Sequence, residues 1–245
     1  MIPLFQNLDF ETISNCNRTC PTCIRNSHPD RDAVQPWFET HLLDEDIIFA
    51  VLDEAVSLGF SGGVILSHYN EPLMDERLPD IARRVKAYNR FASIFLNTNG
   101  DFLTEEMASA FDGVLDHMIV ALYMDEPVKS KRAAWMATLF KKTQLSIITN
   151  PVHIATHFSP NFPVIDLARQ HAQHTCMEPW MHVILNHRAQ WLGCCDDVIG
   201  NFGLGTYPEM SLKYHLEGKH QIMRTSLAKP GGRAWHSYCV SCPRA

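Results

Sequence analysis

Along the first two thirds of the chain, short stretches of alternating apolar residues are separated by longer ones in which apolar residues recur every three to four positions. The first pattern belongs to strands and the second to amphipathic helices. Residues 4–14 read as a strand, with Leu8, Phe10 and Thr12 on alternate positions. Over 45–58, Ile47, Ile48, Val51, Leu52 and Ala55 make a helical stripe, with Asp44 placed to cap it and Gly59 to stop it. Strands at 63–69, 93–98, 117–123 and 145–150 then alternate with helices at 78–88, 104–111, 131–140 and 164–174. This alternation predicts an α/β fold whose parallel sheet is joined by right-handed crossovers. Six strands by about residue 160 suit a partial (β/α)6 barrel better than a closed eight-unit one.

The pattern changes after about residue 175. Residues 180–185 and 189–192 read as a hairpin around Asn186-His187-Arg188, a helix follows at 212–224, and Pro230-Gly231-Gly232 breaks the chain again. The expected organisation is a barrel domain over 1–174 and a small appended module over 175–245. At 245 residues, one or two domains are the prior expectation.

Composition narrows the class. Hydrophobic residues make up 46% and charged residues 20%, which excludes wholesale disorder. The longest purely apolar run, 118–124, is far shorter than the roughly 18 residues a membrane helix needs. No basic patch precedes an apolar stretch near Met1, so a cytoplasmic protein without a signal peptide is expected. A net charge of −6 argues against a general nucleic-acid binder, and neither nucleic acid nor membrane is an expected partner.

The eight cysteines fall into two groups, with none between Cys23 and Cys176. Disulfide scaffolds are short and spread their cysteines through the chain, so two metal or iron–sulfur sites are the better expectation. Cys16, Cys20 and Cys23 follow the first strand with spacing C-x3-C-x2-C. Three thiolates on one loop can hold three irons of a [4Fe–4S] cube and leave the fourth open, whereas four-cysteine patterns fill every iron. Zinc is the alternative, but the nearest fourth donor, His28, gives an irregular spacing.

At Cys16-Asn17-Arg18-Thr19-Cys20-Pro21-Thr22-Cys23 the sequence resembles the radical S-adenosylmethionine (radical SAM) superfamily, in its branch with SPASM or twitch extensions. The resemblance implies a radical SAM barrel whose open iron chelates the amino and carboxylate groups of SAM. One electron then cleaves SAM to methionine and a 5′-deoxyadenosyl radical. Thr22 stands where the family usually has an aromatic residue, at a position that meets adenine through its backbone. His68-Tyr69-Asn70-Glu71-Pro72 occupies the place of the family's Gly-Gly-Glu-Pro loop, so Asn70 and Glu71 are expected to bind the SAM ammonium. Thr98-Asn99-Gly100 matches a segment that ends the third strand in many members, putting Thr98 and Asn99 on the same rim.

Cys176, the Cys194-Cys195 pair and the terminal Cys239-Val240-Ser241-Cys242 follow the order of a twitch module. That resemblance implies one auxiliary [4Fe–4S] cluster on Cys176, Cys194, Cys239 and Cys242, with Cys195 a spare thiol and Ala189 in place of a hairpin glycine. A structural zinc ribbon is the alternative. His68, Tyr123, His153 and His157, at strand ends, are candidate catalytic acid–base groups. The implied function is hydrogen abstraction by the 5′-deoxyadenosyl radical to oxidise a small biosynthetic intermediate. In that reaction the auxiliary cluster accepts an electron and a flavodoxin- or ferredoxin-type protein supplies the reductant. The competing expectations are a peptide-modifying radical SAM enzyme and a non-enzymatic iron–sulfur or zinc protein. The first often needs an extra recognition domain of about 80 residues, for which this chain has little room.

Overall fold

A computed structural model of the protein describes residues 5–20, 23–27, 31–149, 173–240 and 242. Its strands are β1 (Asn7–Phe10), β2 (Gly63–Ile65), β3 (Ser93–Thr98), β4 (His117–Ala121), β5 (Gln144–Ile148), β6 (His182–Leu185) and β7 (Trp191–Leu192). They form one sheet in the order β5-β4-β3-β2-β1-β6-β7, parallel throughout except for the antiparallel β6–β7 hairpin. Helices α1 (Ile24–Ser27), α2 (Arg31–Val34), α3 (Glu45–Ser57), α4 (Leu78–Ala87), α5 (Glu105–Phe111) and α6 (Val128–Ala137) fall between the first five strands. Beyond β5 come α7 (Glu178–Met181), α8 (Leu212–Glu217), α9 (Lys219–Leu227) and α10 (Ser237–Val240).

The register gives the sheet two unlike faces. Leu8, Val64, Ile94 and Val183 share one row, and Phe10, Leu96, Met118, Val120 and Leu185 extend the same face. All are sealed in a core with Ile48, Leu52, Ile81, Val85 and Phe111 of α3, α4 and α5. The opposite face carries Asp9, Phe95, Asn97, His117, Ser146 and His182, and much of it is only half-buried. An open parallel sheet with helices on its apolar side and polar residues on the other is a partial barrel. Ligands meet such barrels at the carboxyl ends of the strands.

Local signals act as their chemistry predicts. Asp44 caps α3 by accepting from Asp46 N at 2.9 Å, and Gly59 ends that helix at φ +87°. Thr104 caps α5 through Met107 N at 3.1 Å. Ala189, in the hairpin turn, has φ +56°, the left-handed region that glycine enters more easily. Two expectations change. The sixth described parallel strand is β6, from the hairpin grouped above with the appended module, because three of its four residues are buried against β1. The single helix expected over 212–224 is two, since Gly218 leaves the helical region at ψ −132°. The expected helix at 164–174 lies outside the described residues except for its last two positions. Among the described residues, no helix is long and apolar enough to cross a membrane.

Beneath the hairpin, Trp191 stacks on His215 with ring centroids 4.7 Å apart, and His215 stacks on His220 at 4.3 Å. Neither imidazole has a hydrogen-bond partner on either nitrogen. Burial, with the Arg224 charge behind it, pushes His215 down to about 3 and His220 well below its usual value. Both are therefore neutral when folded, while the unfolded chain protonates them near pH 6.5. Their stability contribution is complete above that pH and is lost as pH falls through it. Moving from pH 7 to pH 5 should cost about 2 kcal/mol through His215 alone. Urea unfolding at the two pH values measures this, and a His215→Leu variant should show a smaller difference.

Candidate active site

The first cysteine loop leaves the carboxyl end of β1. Cys16 N donates to Asn15 Oδ1 at 2.9 Å, Cys23 N to Cys20 O at 3.1 Å and Asn26 N to Cys23 O at 2.8 Å. The backbone thus holds the turn while leaving the sulfurs uncommitted, and all three thiols are free. Burial pushes Cys16 upward and Cys23 to about 11. Thiolates here therefore need a positive centre beside them. Arg25, buried behind the loop, stacks on Phe38 at 4.4 Å and donates to Ser14 O.

Residues 97–101 clamp this loop from the end of β3. Asn99 Nδ2 donates to Asn17 Oδ1 at 2.8 Å, and Asp101 accepts from Asn17 Nδ2 at 2.7 Å and Arg18 Nη2 at 2.6 Å. Arg18 in turn lies 5.2 Å from the Tyr123 ring centroid. Burial raises Tyr123, and the Cys20 and Cys23 thiols beside it raise it further, so this phenol stands at the edge of the first cysteine group.

Glu71, 1% exposed, is the hub of the rim. Its Oε1 accepts from Leu73 N at 3.0 Å and Thr98 Oγ1 at 2.5 Å, and its Oε2 from Asn99 N at 2.7 Å. Its own N–H donates to Asn15 O, one residue before Cys16, at 2.8 Å. Burial raises the carboxyl above its ordinary value, and the three donors oppose that shift. A carboxylate offers four lone pairs, so one, on Oε2, is left for an outside donor. Thr98 is fully used, because its hydroxyl also accepts from Gly100 N at 2.9 Å. Asn99 is held by Asn17 and by Asp101 N. Asn70 accepts from His68 N through Oδ1, but its Nδ2 is buried with no partner. A Glu71→Gln side chain would set an amide N–H against a backbone N–H on one side or the other. We predict a stability loss of about 1–3 kcal/mol, read as a lower urea midpoint, together with weaker SAM binding by calorimetry.

A second polar set, which the sequence reading did not single out, lies between β1 and the β6–β7 hairpin. His182 Nδ1 meets Asp9 Oδ2 at 2.9 Å and His187 Nδ1 meets Glu11 Oε2 at 2.6 Å. Burial raises Asp9 despite His182. Burial would raise Glu11 too, but the hydrogen bond and charge of His187 outweigh it and leave the carboxyl low. Burial lowers His68, and the charges of Glu11 and Asp9 oppose that shift. The available signal was the alternation of β1 itself, which puts Asp9 and Glu11 opposite Leu8 and Phe10.

The second cysteine group surrounds one small cavity of about 20 Å3, lined by Cys176, Cys194, Cys195, Cys239 and Cys242 with Tyr238. Cys176 N donates to Leu227 O, Cys239 N to His236 O and Cys242 N to Cys239 O. Burial raises Cys176 and Cys194 and pushes Cys239 to about 12. Cys195 differs in bonding through its thiol to Glu178 Oε2 at 3.3 Å. Among the described residues, no three His, Cys, Asp or Glu side chains converge as they would around a single ion. Asp196 links this group to the barrel, accepting from Tyr69 Oη at 3.3 Å through Oδ1 and from Tyr238 Oη at 2.7 Å through its backbone carbonyl. Thr22, His153 and His157 lie outside the described residues.

Residues 10–127 match the radical SAM superfamily. The S-adenosyl-L-methionine-dependent 2-deoxy-scyllo-inosamine dehydrogenase of Niallia circulans is 32% identical over 106 residues, an alignment covering 43% of this chain and 40% of that enzyme. The crystal structure of BtrN in complex with AdoMet and 2-DOIA superposes with a TM-score of 0.79 at 23% identity, covering 100% of this chain and 95% of that one. The structure of anSMEcpe with bound AdoMet superposes at 0.57 with 13% identity, covering 97% and 84%. The match to the radical SAM superfamily marks residues 10–127 as a radical SAM domain, and it spans the cysteine loop, Glu71 and the Thr98–Asn99 rim.

Proposed function

We propose that this protein is a radical SAM dehydrogenase that oxidises a hydroxyl of a small, polyol-like biosynthetic intermediate, with an aminocyclitol as the leading substrate class. The observation that carries the reading is the pairing of two cysteine sites in one chain. One is a three-thiol loop at the rim of the open barrel, and the other is a four- to five-thiol cavity reached through Tyr69 and Asp196. The relative from Niallia circulans supports the substrate class.

Cys16, Cys20 and Cys23 hold the [4Fe–4S] cluster that binds SAM, which, when loaded, supplies the hydrogen-abstracting radical. Asn70 Nδ2 and the remaining lone pair of Glu71 Oε2 are the groups left to orient the polar end of SAM. The Asn17–Asp101–Arg18 clamp keeps the cysteine loop against the β3 rim, and Tyr123 closes its side. The polar sheet face, with Asp9, Asn97, His117 and His182, offers hydrogen-bonding partners to a hydroxylated substrate. We assign Cys176, Cys194, Cys239 and Cys242 to a second [4Fe–4S] cluster that supplies a one-electron acceptor. Cys195 is the spare thiol because it is bonded to Glu178. A domain boundary near residue 174 and a flavodoxin- or ferredoxin-type reductant complete the proposal.

Anaerobic incubation of the iron-loaded protein with dithionite, SAM and a panel of aminocyclitols headed by 2-deoxy-scyllo-inosamine tests it. The expected result is 5′-deoxyadenosine and ketone in equal amounts. SAM cleavage without any ketone across the panel would favour the peptide-modifying alternative.

A further inference from the structure

Converting a secondary alcohol to a ketone removes a hydrogen atom from carbon, a proton from oxygen and one electron. On the dehydrogenase reading above, the hydrogen atom leaves to the SAM-derived radical and the electron to an oxidised iron–sulfur centre. The proton still needs an acceptor. We propose that His68 is the catalytic base that takes it, through Nε2, with Asp9 and Glu11 as positioning residues.

Nε2 of His68 is buried and has no hydrogen-bond partner. It is not alone. Asp9 Oδ1, Glu11 Oε1 and His187 Nε2 are also buried and unpartnered, on β1, just after it and in the β6–β7 hairpin. Buried polar groups are nearly always satisfied, and each unmet one costs about 1–3 kcal/mol. Four on these adjoining segments mark a place where a polar guest belongs, and a hydroxylated ring can meet several at once.

Position supports the same assignment. The stretch from His68 to Glu71 touches both cysteine groups: Glu71 ties to Asn15 beside Cys16, and Tyr69 to Asp196 beside Cys195. A substrate hydroxyl over His68 therefore lies between the centre that removes hydrogen and the one that removes the electron. His182 Nδ1 meets Asp9 and His187 Nδ1 meets Glu11, but both histidines belong to the β6–β7 hairpin and not to the stretch that touches both cysteine groups. The groups facing His68 are Asp9 and Glu11 on β1, His182 on β6, Asp196 beyond β7, and the Tyr69 ring at 4.9 Å. Burial keeps its imidazole neutral near pH 7, as a base must be, and the two carboxylates stabilise the imidazolium that forms.

The test is a His68→Gln variant, with His68→Asn as a second should the first fail to fold, loaded with iron and given the same aminocyclitol panel. Iron content should match wild type. Ketone formation should fall by about 10²–10⁴-fold, the usual contribution of a general base. 5′-Deoxyadenosine should continue to form, so its ratio to ketone rises. The acidic limb of the wild-type pH–rate profile should disappear, and added imidazole should restore part of the rate. Ketone formation at the wild-type rate would overturn the role of His68 and leave the dehydrogenase reading standing. So would an equal loss of 5′-deoxyadenosine formation, the mark of a purely structural role. No ketone from the wild type would overturn the dehydrogenase reading and this proposal together.

Discussion

Cys16→Ala, Cys20→Ala and Cys23→Ala variants are each expected to form no 5′-deoxyadenosine and to hold about half the roughly eight irons of the intact protein. The structure makes this a test of ligation and not of folding. The turn is fixed by Cys16 N to Asn15, Cys23 N to Cys20 O and Asn26 N to Cys23 O, none of which uses a sulfur. The clamp from Asn99 and Asp101 reaches Asn17 and Arg18, not the cysteines. Removing one thiol therefore leaves the loop in place with two donors, too few for a cluster that must keep one iron open. Burial raises Cys16 and Cys23, so without iron these two thiols stay protonated at neutral pH. Iron analysis, visible absorption and chromatography of 5′-deoxyadenosine report the three consequences. SAM cleavage at the wild-type rate in any one variant would remove the cluster role of that cysteine.

What the sequence revealed depended on how local its causes were. The period of β3 and the caps of α3 and α5 are set by residues within a few positions of each other, and Ser93–Thr98, Asp44 and Thr104 appear where expected. The cysteine loop stood out because three thiols fall within eight residues of one another. Glu71 was legible as a functional residue, but its three donors come from Leu73, Thr98 and Asn99, and only the fold shows that the last two reach it across 27 and 28 residues. The membership of β6 in the barrel sheet was hidden for the same reason, since its partner β1 lies some 175 residues earlier. Asp9 and Glu11 looked like the solvent face of an amphipathic strand. Their burial comes from His182 and His187, which no local pattern connects to them. Long-range polar pairs are where the chain departs from simple patterning, and here they gather at the candidate site.

A Cys239→Ala/Cys242→Ala double variant is expected to lose the other half of the iron, to keep making 5′-deoxyadenosine and to release almost no ketone. The two cysteines close one side of the cavity, with Cys176 and Cys194 lining it with them. Loss of two of four ligands empties it, while the first cysteine loop, tied to β3 through Asn99 and Asp101, keeps its own contacts. Hydrogen abstraction then proceeds, but the substrate radical has no nearby acceptor and is quenched or returns. The fold of the C-terminal segment is a separate matter, because metal binding to a small module is also folding free energy. Part of that segment stands without the cluster: Arg224 Nε donates to Pro179 O at 2.7 Å, and Trp191 packs against His215. Circular dichroism of the double variant should accordingly stay close to wild type, and an isosteric Cys239→Ser/Cys242→Ser pair controls for the lost volume. Full ketone turnover in either pair would leave the second site a structural role at most and make a redox-neutral or peptide-directed reaction the better reading. About four irons in the intact protein, with zinc making up the rest, would end the electron-acceptor role outright.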